Sequence, residues 1–255
     1  TIVNLNNFRD AQIDYPSSFA DLYQAKVKDK PTPDPHQVKA IADVTDGLKK
    51  SDRGQMIMAC GTGKTFTTLW IKEALKSETT LVLLPSLSLL SQTMREWAWA
   101  GNTDFEILNV CSDKSVGKKT EDMAPSDAPF AVTSDVHEIA KFLQKSVPRV
   151  VFCTYQSSQL IAEAQIDTKV PTFDLAIADE AHRCAGKADA GFATILDVEK
   201  IRASKRLFTT ATPRYFGKAI KDASKAADLA VIGMDDETVF GPVIHQLTFG
   251  QAIQD

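Results

Sequence analysis

The stretch QMIMACGTGKTFTTLW, residues 55–70, places a short apolar run directly before a glycine-rich turn and a second, amphipathic segment. An apolar run of this length is typical of a buried strand, and apolar residues at helical spacing after Lys64 predict a helix. Strand, glycine turn and helix in this order form a cradle whose backbone N–H groups point at an anion. The stretch therefore predicts an α/β fold with a phosphate site at the end of this strand.

The residues of the turn suit the phosphates of a nucleotide. Glycines let the backbone curl with its N–H groups inward, and the helix N-terminus adds partial positive charge. Lys64 would supply charge to the β and γ phosphates, and the Thr65 hydroxyl would bind Mg²⁺. Because Met58 stands where the strict motif has glycine, a chance glycine turn is the competing interpretation. The expected nucleotide-binding residues are Gly61, Thr62, Gly63, Lys64 and Thr65.

A second candidate site follows the apolar run at 173–178, where the sequence continues as Asp179-Glu180-Ala181-His182. Ligands of open parallel sheets bind at the carboxyl ends of the strands, and carboxylates placed there are costly unless they meet a cation. Asp179 is expected to hold Mg²⁺ through water, and Glu180 to act as the base or water-positioning group. A strand that ends in a solvated acidic turn is the alternative.

Short apolar runs alternate with helix-period segments from Asp34 onward, which predicts a mostly parallel sheet of about seven strands with helices on both faces. In the third helical segment Leu90, Met94 and Trp97 share one face, so Trp97 is expected in the core. The expected strands cover 55–60, 80–84, 106–111, 130–133, 149–154, 174–178 and 206–210, with further candidates at 228–233 and around 243–247. The expected helices cover 35–49, 64–76, 87–99, 135–144, 157–165 and 190–198.

Composition is that of an ordinary globular protein, with 44% hydrophobic residues, 24% charged residues and a net charge of -4. An acidic balance does not indicate a nucleic-acid binder, although a narrow basic groove can exist on an acidic protein. The four cysteines form no CxxC pair, which favours reduced thiols and a cytoplasmic protein. The sequence has no signal-peptide pattern, and its most apolar stretch, 81–90, is interrupted by proline and serine, so a membrane partner is not expected.

GTGKT, DEAH and Thr210-Ala211-Thr212, which begins 31 residues after Asp179, resemble motifs I, II and III of superfamily 2 helicases. The resemblance covers about residues 34–255 and implies a first RecA-like motor domain with a P-loop nucleotide site. MACGTGKT at 58–65 and FGPVIHQLTFGQAIQD at 240–255 also resemble the motor subunits of type I, type III and single-chain restriction enzymes.

The resemblance assigns further roles. Gln37 matches the glutamine that contacts adenine in relatives, although Asp34 stands where the family often has arginine. A capping box is the competing interpretation of the same residues, with Asp34 as N-cap, Pro35 at the first helical position and Gln37 at the third.

Nucleic-acid contacts are implied at the ends of two further strands. Ser86 belongs to a segment that resembles motif Ia, and Thr154 opens the motif-like segment Thr154–Ser157. Hydroxyls at helix N-termini suit phosphate contacts, but ordinary helix capping explains Ser86 and Ser157 equally well. Thr210 and Thr212 are implied to couple the nucleotide site to the nucleic-acid side, or they are simple turn formers.

The function implied is a nucleic-acid-stimulated ATPase that uses ATP and Mg²⁺ to move on DNA in a restriction-like enzyme. A second RecA-like domain of the same parent protein would supply arginines to the active site, so this chain alone is expected to turn over slowly. An RNA helicase shares the same motifs, and a nucleotide switch without turnover is the non-enzymatic alternative.

Domain organisation is expected in three parts. Residues 1–33 form an N-terminal extension that ends in a proline-rich hinge, 34–215 form the RecA-like domain, and 216–255 lead toward a second motor domain. The polar stretch between Cys111 and Pro129 shows no periodicity and is expected to be a surface loop.

Overall fold

Seven parallel strands form the central sheet of the computed structural model, which describes residues 29–112, 130–187, 191–217 and 231–252. The strands in chain order are β1 (Arg53–Met58), β2 (Thr79–Leu84), β3 (Glu106–Val110), β4 (Arg149–Thr154), β5 (Phe173–Asp179), β6 (Gly186–Lys187), β7 (Ala203–Thr210), β8 (Val231–Ile232) and β9 (Val243–Leu247). The sheet order is β3-β4-β2-β5-β7-β1-β9, while β6 and β8 form a separate antiparallel pair. Parallel neighbours need crossover connections, and helices provide them.

Helices cover both faces of the sheet, as predicted. They are α1 (Pro35–Lys50), α2 (Lys64–Ala74), α3 (Leu87–Ala100), α4 (Val136–Leu143), α5 (Ser158–Ala164), α6 (Glu237–Phe240) and α7 (Phe249–Ala252), with 3₁₀ turns at Tyr155–Ser157, Ala181–Arg183 and Gly191–Leu196. Leu81 and Leu83 pack with residues of α4 and α5, whereas Val82 and Leu84 pack with residues of α1, α2 and α3. Because alternate strand residues point to opposite faces, the two groups of helices lie on opposite sides.

Trp97 lies in the core, as its helical spacing predicts. Its side chain is fully buried and its ring meets Phe152 edge-on, with 5.5 Å between ring centroids. The indole N–H donates a 3.0 Å hydrogen bond to the carbonyl of Thr65. A buried indole N–H needs such a partner, so this core residue also fixes the first turn of α2.

Two predicted elements are wrong. Residues 130–133 form no strand, because only Thr133 pairs with β3 through its backbone, in an isolated bridge with Val110, before Asp135 caps α4. The expected helix at 190–198 is a 3₁₀ turn at Gly191–Leu196, with residues 188–190 outside the described part of the chain. A segment this short gains few α-helical hydrogen bonds, so the tighter turn competes well.

The strand expected around 243–247 is present, and it joins the main sheet. β9 pairs with the outer side of β1 and supplies the seventh strand in place of 130–133. The side chain of Gln55 holds the segment that precedes β9, because its amide nitrogen donates to the carbonyls of Met234 and Gly241, at 2.9 and 2.7 Å. Within the described ranges no helix is long and apolar enough to cross a membrane. Most of the expected N-terminal extension, most of the expected surface loop and residues 228–230 lie outside the described residues.

Candidate active site

The three motifs predicted from the sequence meet at one edge of the sheet. β1 ends at Met58 before the glycine turn, β5 ends at Asp179, and β7 ends at Thr210. β7 lies between β5 and β1, with Asp179 in register with Thr209 and Ile57 in register with Thr210. The strands are parallel, so their carboxyl ends face the same crevice, where ligands of such sheets bind.

The glycine turn has the backbone conformation that its sequence predicts. Gly61 and Gly63 have φ angles of 80° and 73°, a region that side chains disfavour. A Cβ atom on Gly63 would also lie 2.3 Å from Nε2 of Gln37, so a side chain there would displace the Gln37 amide. The Thr62 hydroxyl donates a 2.8 Å bond to the Ala59 carbonyl and closes the turn.

Lys64 and Thr65 open α2 directly after this turn. Lys64 Nζ donates to the carbonyl of Met58, 3.3 Å away, so its ammonium folds back over the turn. The Thr65 carbonyl accepts bonds from Trp97 and from the Thr68 hydroxyl. Both Lys64 and Thr65 are half-buried, and the turn therefore presents a cation and a hydroxyl at one helix N-terminus.

The carboxylate of Asp179 has a raised pKa at this edge of the sheet. Burial raises its pKa and the neighbouring Glu180 charge adds to the rise, while a hydrogen bond from Thr209 and the Lys64 ammonium oppose it. Thr209 Oγ1 donates to Asp179 Oδ1 across 2.8 Å. Because the pKa is raised on balance, this site gains from a cation that neutralises the carboxylate.

Glu180, His182 and Thr210 form a polar triangle beside Asp179. Nδ1 of His182 lies 3.0 Å from Thr210 Oγ1 and 3.3 Å from Glu180 Oε2, and the last two atoms are 3.5 Å apart. Glu180 has left-handed backbone angles, φ 51° and ψ 46°. Motif II and the end of β7 are thus joined through side chains that are far apart in the sequence.

Gln37 lies against the glycine turn. Its amide nitrogen donates to the carbonyls of Thr62 and Gly63, both at 3.3 Å, and its amide oxygen accepts a 2.8 Å bond from the Asp34 backbone. The capping box expected for these residues is present. A cavity of about 350 Å³ opens beside it, lined by Pro35, His36, Lys39, His245, Gln246, Leu247 and Gln251.

The residues expected on the nucleic-acid side differ in exposure and in their hydrogen bonds. The Ser86 hydroxyl accepts a 3.2 Å bond from the Leu89 backbone and caps α3. Thr154 is buried and donates to Ser157 Oγ, 2.9 Å away. Thr210 is buried in the polar triangle, while Thr212 is exposed and its backbone N–H donates to Thr210 Oγ1.

The sequence profile of the family described as "Type III restriction enzyme, res subunit" matches residues 30–215. This chain belongs to that family.

One protein of known sequence and two solved structures are similar to this chain. A probable helicase of African swine fever virus is 36% identical over 170 residues, which are 66% of this chain and 18% of that protein. The ATP-dependent Type ISP restriction-modification enzyme LlaBIII, solved bound to DNA, is 35% identical with a TM-score of 0.81, over 98% of this chain and 17% of that one. A nuclease-deletion mutant of the Type ISP enzyme LlaGI, solved with a DNA substrate mimic, is 33% identical with a TM-score of 0.67, over 88% of this chain and 20% of that one.

This chain thus spans about a fifth of the length of these relatives. Together they confirm the resemblance stated on the motifs, which is to the motor domains of superfamily 2 helicases related to restriction enzymes.

Two site residues are not predicted from the sequence. Thr209 stands beside the motif residue Thr210, and alternation along β7 is the signal that it points to the other face. Tyr155 belongs to a strand-end motif, and its hydroxyl donates to the carbonyl of Asp179, 2.6 Å away. Nothing local in the sequence signals a contact between residues 24 positions apart.

Proposed function

We propose that this chain is the ATP-binding motor domain of a nucleic-acid-dependent ATPase in which hydrolysis drives movement on DNA. One observation carries the proposal: the lysine of the glycine turn and the carboxylates of β5 share one sheet edge, with Lys64 close enough to lower the pKa of Asp179. A lysine facing a carboxylate pair across a crevice suits a triphosphate that carries its own cation.

The donor set fits Mg²⁺. Asp179 is a half-buried carboxylate whose raised pKa a cation would relieve, and Thr65 supplies a hydroxyl on the facing helix N-terminus. Mg²⁺ is commonly bound by one or two protein oxygens together with phosphate oxygens and water, so this small set of oxygen donors suits it.

Each residue has a distinct part in the proposed reaction. The N–H groups of residues 61–63 bind phosphate oxygens, and Lys64 neutralises the β and γ phosphates. Thr65 and Asp179 hold the Mg²⁺ ion, which when bound supplies positive charge to the same oxygens. Glu180 orients the attacking water and accepts its proton.

For the base of the nucleotide we propose the cavity beside α1. It adjoins the glycine turn through His36, whose Nε2 lies 3.1 Å from the Thr62 carbonyl oxygen. The Gln37 side chain already forms hydrogen bonds with the glycine turn and with the backbone of Asp34, the N-cap of α1. A contact with adenine would therefore replace one of these hydrogen bonds. The contact between Gln37 and adenine stays a prediction.

DNA is the proposed track. Two relatives support this choice, because LlaBIII was solved bound to DNA and LlaGI with a DNA substrate mimic. Ser86 and Thr212 are the expected residues with some exposure, and we propose that they contact the phosphate backbone. Thr154 and Thr210 are buried, so we propose that they act by positioning their neighbours.

We further propose that the RecA-like domain begins at 34 and that residues 216–255 lead toward a second motor domain in a longer parent protein. The small share of each relative that this chain covers supports that organisation. Since the second domain would complete the active site, this chain alone is expected to bind ATP and to hydrolyse it slowly.

The deciding experiment measures ATP hydrolysis by the full-length parent protein with no nucleic acid, with duplex DNA and with RNA. The proposal expects stimulation by DNA, which Glu180→Gln abolishes while ATP binding persists. Stimulation by RNA alone would indicate an RNA helicase, and ATP binding without turnover would indicate a nucleotide switch. Hydrolysis by this chain alone at about 10 per second, an ordinary enzyme rate, would refute the dependence on a second domain.

A further inference from the structure

Tyr155 connects the end of β4 to the catalytic end of β5. Its side chain is fully buried, and its hydroxyl donates a 2.6 Å hydrogen bond to the carbonyl oxygen of Asp179. That carbonyl belongs to the peptide group between Asp179 and Glu180. The hydroxyl therefore fixes the orientation of the peptide that links the two carboxylate residues of motif II.

The backbone at Glu180 needs such support. Among the described residues other than glycine, only Lys76 and Glu180 have positive φ angles, and that of Glu180 is 51°. A left-handed residue with a side chain costs about 1–2 kcal/mol, so other contacts must hold it. Rotation of the 179–180 peptide would break the bond to Tyr155 and change φ of Glu180, which would move its carboxylate away from Thr210 and His182.

The surroundings of Tyr155 keep its hydroxyl in place as a donor. Phe192 packs on the ring with 5.2 Å between centroids, and the Cys184 thiol also faces the hydroxyl. The ring is thereby fixed on one side by packing and on the other by the Asp179 carbonyl.

Tyr155 is also joined to the polar end of β4. Thr154, its neighbour in the chain, donates to Ser157 Oγ, and that oxygen accepts a 2.8 Å bond from the Ser112 backbone. We propose that Tyr155 is a positioning residue that holds Glu180 in its hydrolytic geometry and transmits shifts of this strand end to it. The inference rests on the proposed ATPase function.

The test is Tyr155→Phe in the full-length parent protein. Phenylalanine keeps the ring and its packing and removes only the hydroxyl. We expect kcat for ATP hydrolysis to fall roughly tenfold or more, with KM for ATP and the affinity for a fluorescent ATP analogue changed by less than about twofold. Loss of a purely structural contact would lower stability without such a split between kcat and KM.

Ser158→Ala is the matched control, because Ser158 Oγ donates a 2.7 Å bond to the Tyr155 carbonyl in the same buried region. This variant loses a buried hydrogen bond but leaves the tyrosine hydroxyl on Asp179, so kcat should stay near that of the unchanged protein. An unchanged kcat in Tyr155→Phe, or equal effects of both variants, would overturn the inference. Lys64→Ala separates the two proposals: full ATP affinity in that variant would refute the nucleotide site itself, whatever Tyr155 does.

Discussion

Thr209 Oγ1 donates a 2.8 Å hydrogen bond to Asp179 Oδ1, and this bond opposes the rise in the pKa of Asp179 that burial causes. Thr209 is fully buried near the end of β7, one strand away from the carboxylate. The charge state of Asp179, the proposed metal ligand, therefore depends on Thr209, an uncharged residue of the neighbouring strand.

Replacing Thr209 with valine keeps the shape of the side chain and removes this donor. The pKa of Asp179 should rise further, so protons compete better with Mg²⁺, and the Mg²⁺ affinity in the presence of ATP should fall roughly tenfold. Calorimetric titration of Mg²⁺ at fixed ATP measures this change. Thr209→Ser keeps the hydroxyl and should retain the affinity; equal affinities of the valine and serine variants would contradict the prediction.

Asp179→Asn should stabilise the chain at neutral pH while it removes Mg²⁺-dependent ATP binding. The folded-state pKa is raised by burial first and by Glu180 second, so the folded chain binds this proton more tightly than the unfolded chain. The free energy of unfolding therefore falls as pH rises from the ordinary value of 3.8 through the raised pKa, and asparagine avoids that loss.

Thermal unfolding across a pH series measures this effect. The gain in melting temperature for Asp179→Asn should be largest near neutral pH and shrink as the pH falls toward 3.8. Asp104→Asn is the control, because it neutralises an exposed carboxylate away from the site. A gain that is the same at all pH values would contradict the assigned cause.

Alanine at Gly63 should be more harmful to ATP binding than alanine at Gly61. Both positions have positive φ, which costs about 1–2 kcal/mol for a residue with a side chain. At Gly63 the added Cβ would also lie 2.3 Å from Gln37 Nε2, whereas at Gly61 it meets nothing within 4 Å. Affinities of both variants for a fluorescent ATP analogue provide the comparison; an equal loss would show that backbone strain alone matters.

Gly241→Ala should destabilise the fold through β9. Gly241 has a φ of 74°, and an added Cβ would lie 2.5 Å from the backbone oxygen of Arg53 at the start of β1. We expect a loss of about 2 kcal/mol or more in the free energy of unfolding, measured by urea denaturation. Gly250→Ala, where an added Cβ meets nothing within 4 Å, should be close to neutral. Equal stability of the two variants would argue against close docking of β9.

The sequence by itself determined the parallel sheet, the glycine turn and the two ends of the phosphate site, because each depends on residues that are contiguous in the chain. Residues 55–70 contain a complete strand, turn and helix, and the left-handed angles at Gly61 and Gly63 follow from that local pattern. The acidic pair likewise follows directly from its strand.

Only the tertiary structure decided which strands fill the sheet and what surrounds the carboxylates. The sequence predicts strands both at 130–133 and around 243–247, but β9 pairs with the free side of β1, while 130–133 makes only an isolated backbone bridge to β3 at Thr133. Thr209 and Tyr155 contact Asp179 from other strands. Such contacts depend on strand order and register, which a local pattern of residues does not encode.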